Sequence, residues 1–217
     1  MNFEKARFNM VEQQIRPWEV LDFDVLDLLM SVRREEFVPE AYKSLALSEA
    51  EIPLGHGASM LIPVIEGKIL QAIQVKRSDK VLEVGAGSGY FAALLAARAD
   101  WVRTVEIEPA LVTMAHENLK RYGVENVIVE EGDAICGWPS KAPYDLIVVS
   151  GGVPFIPETL LQQLKVGGRL FAFVGEPQLM TATLVTQVSE GNFRTESLFE
   201  NAVPMMRNAP QKSQFKF

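Results

Sequence analysis

The pattern of apolar positions changes rhythm near residue 80. Ahead of it they recur at helical spacing: Val25, Leu28, Leu29 and Val32 follow i, i+3, i+4, i+7, which predicts a helix capped by Asp22 or Asp24. Phe3, Arg7, Met10, Val11 and Ile15 predict an earlier helix ending at Pro17. Pro63 opens a third, in which Ile65, Ile69, Ala72 and Ile73 share a face, because proline is tolerated in a first helical turn. From Lys80 onward short apolar runs alternate with amphipathic stretches: strand 80–84, helix 88–99, strand 101–107, helix 109–122, strand 126–130 and strand 144–149. Such alternation predicts a parallel sheet covered by helices on both faces. A short helix from Pro157 to about Lys165, ended by Gly167-Gly168, then precedes a buried strand from Arg169 to Gly175. Thr181 to Ser189 and Phe193 to Glu200, split by Glu190-Gly191-Asn192, predict an antiparallel hairpin at one edge. No repeat, low-complexity tract or linker interrupts this order, and the polar tail from Met205 to Phe217 is expected to fray.

The first strand breaks into glycines: Lys80-Val-Leu-Glu-Val-Gly-Ala-Gly-Ser-Gly-Tyr90. Glycines after a strand let backbone approach a ligand where a Cβ would collide, and the next helix offers unpaired N–H groups. A dinucleotide fingerprint needs G-x-G-x-x-G, but here the third glycine arrives one residue early, at Gly89. The spacing speaks against NAD. Glu83, two residues before Gly85, puts a carboxylate where it would neutralise the amino group of a methionine moiety and would repel a pyrophosphate. Glu106 ends the next strand about twenty residues beyond the glycines, the position from which a carboxylate accepts both ribose hydroxyls. Asp133 ends the third, in reach of an adenine edge. S-adenosylmethionine is therefore the expected cofactor, held by Glu83, Gly85, Gly87, Ser88, Gly89, Glu106 with its neighbour Ile107, and Asp133 with its neighbour Ala134. The bland reading of a lone G-x-G-x-G is a tight strand-to-helix turn. Acidic residues at three successive strand ends outweigh it.

Composition narrows the setting. A chain of 217 residues, 48% hydrophobic and 23% charged, is long enough to bury one substantial core. A net charge of -7 without a basic stripe argues against nucleic acid as a partner. A single cysteine, Cys136, excludes an internal disulfide, and no Cys/His grouping has metal-ligand spacing, so no metal is expected. The charged N-terminus carries no apolar signal core and no stretch approaches a membrane span, so a cytoplasmic protein without a membrane partner is expected.

Six segments give the chain a resemblance. Met10-Val-Glu-Gln-Gln-Ile15, Glu36-Phe-Val-Pro39 with Ala41-Tyr42, Ile52-Pro-Leu-Gly-His-Gly57, Val81 to Tyr90, Gly137-Trp-Pro139 and Gln162-Gln-Leu-Lys-Val-Gly-Gly-Arg169 occur in the order seen in protein-L-isoaspartate O-methyltransferases. The resemblance implies an α/β fold of the class I S-adenosylmethionine-dependent methyltransferases: a Rossmann-like, mostly parallel seven-stranded sheet with an antiparallel C-terminal hairpin and a helical N-terminal extension. It implies a monomer with one domain over 1–217, made of a helical cap and substrate loop (1–79), the Rossmann-like core (80–204) and a tail (205–217). It further implies methyl transfer to the abnormal carboxylate of isoaspartyl residues in damaged proteins, whose ester closes to a succinimide that reopens to normal aspartate.

The acceptor half departs from the family pattern. The family's loop runs I-G-x-G-Q-T-I-S-x-P, and here it is Leu54-Gly-His-Gly-Ala-Ser-Met-Leu-Ile-Pro63, so that Ala58 stands at the glutamine, Ser59 at the threonine and Leu61 at the serine. A lost hydroxyl removes one hydrogen bond to a charged oxygen, roughly 1.5–3 kcal/mol, or tens to a few hundredfold in rate. Ser59 either replaces it, and is then the catalytic candidate, or caps local backbone. His56, Gly57, Ala58, Leu61 and, from the later loop Val149-Ser-Gly-Gly-Val153, Ser150 are the expected acceptor-binding residues. His56 reads as a packing or lid residue, since transfer to an ionised carboxylate gives it no proton to move. His116 is expected at the surface, Cys136 as a small buried filler, Trp138 in packing, and Tyr90 either beside the cofactor or in the core. Two other functions fit the same residues: methylation of a different acceptor, favoured by the apolar Ala58 and Leu61, and a non-catalytic cofactor-binding module.

Overall fold

The computed structural model describes residues 2–211. At its centre, β3 (Lys80–Val84) carries Val81, Leu82, Glu83 and Val84 almost completely buried, as a strand covered on both faces requires. It pairs in parallel with β4 (Trp101–Glu106) on one side and β6 (Tyr144–Val153) on the other. Beyond β4 lies β5 (Val127–Glu131), also parallel. Beyond β6 lies β7 (Leu164–Glu176), then β8 (Leu179–Ser189) and β9 (Asn192–Glu200), giving the order β5-β4-β3-β6-β7-β8-β9. The last two pairings are antiparallel, as the hairpin pattern predicts. Because the chain leaves β3 toward β4 and later returns to its other flank with β6, the strand order reverses there. Ligands of open α/β sheets bind at the carboxyl end of such a reversal.

The helices follow from composition and caps; α1 (Phe3–Asn9), α2 (Phe23–Ser31) and α3 (Pro63–Ile73) precede β3 in the chain. α4 (Tyr90–Ala96) is buried all round and nearly free of polar groups, so it packs inside. α5 (Pro109–Tyr122) buries Leu111, Ala115, Asn118 and Leu119, places Lys120 and Arg121 in its last turn and ends on Gly123 at φ 83°. Asp22, not Asp24, caps the helix spanning Phe23–Ser31: its carboxylate accepts from the N–H groups of Asp24 and Val25. In the helix spanning Pro63–Ile73, Gly67 lets Ile15, Val20 and Leu29 close in on its backbone, which ties the N-terminal helices to the core.

Four expectations are corrected. The first helical run is α-helical only over Phe3–Asn9, continues as a π-helix over Met10–Ile15 and closes as a 3-10 turn over Arg16–Trp18. The helix near Pro157 spans only Glu158–Leu161. Gly167-Gly168 lie inside β7, where the register jumps from Tyr144↔Leu164 to Leu146↔Arg169, so the glycines make a bulge and do not end a helix. The start of the expected tail, residues 205–208, packs on the fold: Met205 bridges to Gly152, Met206 donates its N–H to the Gly152 carbonyl at 2.8 Å, and Arg207 and Asn208 bond Glu108 and Asp133. Its end, residues 212–217, lies outside the described residues. No helix among the described residues is long and apolar enough to cross a membrane.

Candidate functional site

The cleft opens where β3 ends. Gly85 has φ 97° and its N–H reaches the Val105 carbonyl at 2.8 Å. That conformation is open to glycine and strained for other residues. The loop is tied to β4 by Glu106, whose Oε2 accepts from the Gly87 N–H at 3.0 Å while Oε1 accepts from Ile107 and Glu108. Glu106 thus stands at the β4 end with its carboxylate beside the glycine loop.

Glu83 is completely buried at the end of β3. One carboxylate oxygen accepts from the Ser150 hydroxyl at 3.3 Å and the other has no partner. Burial pushes its carboxyl up to about 8, against the hydroxyls of Thr104, its register neighbour on β4, and Ser150; the carboxylates Glu106 and Glu66 add weakly to the rise. An unpaired carboxyl held like this is matched by a cationic ligand group, because an ammonium would satisfy the free oxygen and offset the desolvation.

A two-stranded hairpin, β1 (Ile52–Gly55) and β2 (Ala58–Met60), forms the wall facing the glycines. Its turn holds His56 at φ 53°, with His56 Nδ1 3.5 Å from Glu108 Oε1. The Ser59 hydroxyl donates to the exposed Glu51 carboxylate at 2.9 Å, so it satisfies a side chain and not the backbone. Behind the hairpin, fully buried Arg34 donates Nε to Ala46 O at 2.9 Å, Nη2 to Leu61 O at 2.6 Å and Nη1 to buried Glu66. Burial raises the Glu66 carboxyl to about 7 against the pull of Arg34. Arg34 also stacks 5.1 Å from the ring of Tyr90, which lies 5.5 Å from Phe37. Tyr90 is therefore a core residue.

Gly57, Ala58, Ser59, Leu61, Gly85, Gly87, Glu106, Ile107 and Ser150 converge on one cavity of about 120 Å³. Glu83 and Ser88 join several of them around an adjoining one of about 50 Å³. Gly89, Ala134 and Asp133 line neither of these cavities. Gly89 packs against Leu119 and the Ala115 carbonyl on α5, Ala134 is a core residue, and Ser88 turns its hydroxyl to the Tyr90 N–H. Asp133 accepts from the Ile135 N–H with one oxygen and from the Asn208 side-chain amide, at 2.8 Å, with the other. Cys136 is exposed, not a buried filler: the inward residues of its turn are Ala134 and Ile135, and the turn closes through Gly137 N–H to Ala134 O. Trp138 packs on Gly132 and donates its indole N–H to Glu130 at 2.6 Å, and His116 is exposed. A wider groove of about 580 Å³, lined by Lys68, Arg169 and Arg194, shares none of these residues.

Sequence reasoning missed Arg34, Glu66 and the segment Pro204–Asn208. Glu36-Phe-Val-Pro39 lies just beyond Arg34, but nothing in its spacing shows a buried arginine. Met206 and Arg207 carry no local signal, since their neighbours in the cleft are about fifty to a hundred and fifty residues away in sequence. Among the described residues no group of three His, Cys, Asp or Glu side chains is placed to hold a metal ion.

A family model described as protein-L-isoaspartate(D-aspartate) O-methyltransferase matches residues 5–206. Protein-L-isoaspartate O-methyltransferase 1 of Syntrophobacter fumaroxidans is 40% identical over 191 residues, covering 88% of this chain and 89% of its own. The protein-L-isoaspartate O-methyltransferase of Gloeobacter violaceus is 39% identical over 206 residues, 94% of this chain and all of its own. A solved protein-L-isoaspartate O-methyltransferase superposes with a TM-score of 0.80 at 25% identity, covering 95% of this chain, which spans 66% of its length. A putative one from Plasmodium falciparum, in complex with S-adenosyl-L-homocysteine, shares the fold with a TM-score of 0.79 at 19% identity, over 95% of this chain and 99% of its own. The switch-point cleft, the glycine loop and these matches along nearly the whole chain place it in the protein-L-isoaspartate(D-aspartate) O-methyltransferase family.

Proposed function

We propose that the chain is an S-adenosylmethionine-dependent carboxyl methyltransferase acting on isoaspartyl residues of damaged proteins in the cytoplasm, as a monomer. The observation that carries the reading is the buried, half-unpaired Glu83 carboxyl beside Gly85 at the strand-order reversal, within a chain of this family. The residues fit the cofactor: Glu83 for the amino group, Gly85 and Gly87 for close backbone approach, Glu106 for the ribose hydroxyls and Asp133 for the adenine edge. When bound, it supplies a methyl group on a sulfonium centre, which leaves as a neutral thioether.

The remaining work falls to the protein. An acceptor carboxylate is already ionised, so no residue has to remove a proton, and rate comes from alignment and exclusion of water. Leu54, Met60 and Leu61 give the acceptor wall an apolar lining. Arg34 fixes the Leu61 backbone. Ser59 is the hydroxyl donor nearest the missing serine position, and it serves the acceptor by exchanging Glu51 for the acceptor carboxylate. That same engagement with Glu51, with Leu61 beside it, favours a second reading: a carboxylate acceptor other than isoaspartate.

Labelled S-adenosylmethionine with matched Asp and isoAsp peptides separates these. The reading expects base-labile, methanol-releasing label on the isoAsp peptide alone. Label on neither peptide, with transfer to other carboxylates, overturns it in favour of the second reading.

A further inference from the structure

The segment 204–208 crosses the mouth of the cleft and touches each of its parts. Gly152 N–H donates to Pro204 O at 2.9 Å and Met206 N–H to Gly152 O at 2.8 Å, which anchors it on β6. Met206 then lies over the glycine loop, where a Cβ on Gly85 would stand 3.2 Å from its methyl carbon. Arg207 donates Nη1 to Glu108 at 2.8 Å and Nη2 to the His56 carbonyl, joining the start of α5 to the turn of the β1–β2 hairpin. Asn208 donates its amide to Asp133 at 2.8 Å, just beyond β5. Beneath this strap the two adjoining cavities hold about 120 and 50 Å³, whereas pockets for ligands of this size run from about 300 Å³ upward. With the strap as it lies, the two cavities fall short of the space a whole nucleoside cofactor takes.

We propose that Arg207 is a positioning residue for the acceptor hairpin and that Asn208 makes its grip yield when the cofactor enters, so that cofactor binds before acceptor. This rests on reading the cleft as the S-adenosylmethionine site. The exocyclic amino group of adenine is a hydrogen-bond donor of the same kind as the Asn208 amide that engages Asp133. Exchanging one for the other frees the strap, and with it the Arg207 contact to His56, so the hairpin is released for the acceptor. Glu108 is held below the ordinary carboxylate range first by its hydrogen bond from Arg207, so the clasp has an ionic anchor at the α5 start. By linkage, contacts that hold the strap shut oppose the cofactor, and removing them tightens its binding.

S-adenosylhomocysteine, which transfers nothing, is the probe, with calorimetry for affinity and amide hydrogen exchange of residues 54–58 for the hairpin. In wild type it should speed exchange of the hairpin amides. Asn208→Ala and Arg207→Ala should bind it roughly threefold to thirtyfold more tightly, the equivalent of one or two hydrogen bonds. In Arg207→Ala the hairpin should exchange fast without the probe and stay unchanged with it, while Arg207→Lys keeps most of the wild-type response. A strap that merely supports the fold would give weaker binding when cut. Equal or weaker binding by both alanine variants, or a wild-type hairpin indifferent to the probe, overturns the proposal. Failure of wild type to bind the probe at all overturns the cofactor reading, and this proposal with it.

Discussion

Glu83, at the end of β3, and Leu61, just beyond β2, line one cavity of the cleft. Glu83 is a carboxyl whose folded value, about 8, lies above the ordinary range, so the stability it contributes is fully present below about pH 4.5 and is lost as pH rises through 8. Glu83→Gln should therefore match wild type near pH 4.5 and exceed it near pH 8.5, on the order of a few kcal/mol, in urea unfolding at the two pH values. The same gain at both would contradict this assignment. The variant should also lose affinity for S-adenosylhomocysteine, because the ammonium's partner is gone. Glu106→Ala should weaken that binding as well, since both the ribose acceptor and the tie to Gly87 disappear; unchanged calorimetric affinity would remove Glu106 from the site. At the acceptor end, Leu61→Ser restores a hydroxyl, and any isoaspartyl activity should rise by about tenfold or more in an ester-release assay. No rise would mean that Leu61 does not limit the reaction.

At the scale of elements, strong periodicity was legible and long-range pairing was not. The bounds of β3 and α5 follow directly from the five-residue run Lys80-Val-Leu-Glu-Val84 before glycine and from a proline-opened, Gly123-closed amphipathic stretch. The β1–β2 hairpin escaped because strands of four and three residues, one of them containing Pro53, show no alternation long enough to read. The β7 bulge escaped because Gly-Gly after a short helical stretch has the same local signature whether it ends a helix or kinks a strand. Behind the hairpin, the Arg34 guanidinium ties Ala46, Leu61 and Glu66 together, and Glu66 balances its charge. Arg34→Ala leaves Glu66 buried without its partner and should cost about 3–5 kcal/mol of stability, measured by denaturant unfolding. A loss under 1 kcal/mol would show that the pair is not integral to the acceptor wall.

Across the whole molecule, sheet order explains why residues so far apart in sequence meet. The reversal at β3 brings the glycine loop, Glu106 and Ser150 to one edge, and their placement was legible because each sits at or near a strand end. The lid over them was not legible, since Met206 and Arg207 reach the cleft through antiparallel strands that return the chain to Gly152. Spacing alone points to Glu83, Gly85, Gly87 and Glu106 around one cleft, while the acceptor half depends on tertiary contacts and on the departure at Leu61. That makes the destination of the methyl group the decisive question. It is answered by incubating the protein with S-adenosylmethionine and a peptide pair differing only in Asp or isoAsp, and locating the added methyl by fragmentation mass spectrometry. One methyl ester on the isoaspartyl carboxylate is the expected outcome, with later appearance of succinimide and normal Asp peptide. Methylation of the Asp peptide to the same extent, or of neither peptide by protein that binds S-adenosylhomocysteine, would contradict it.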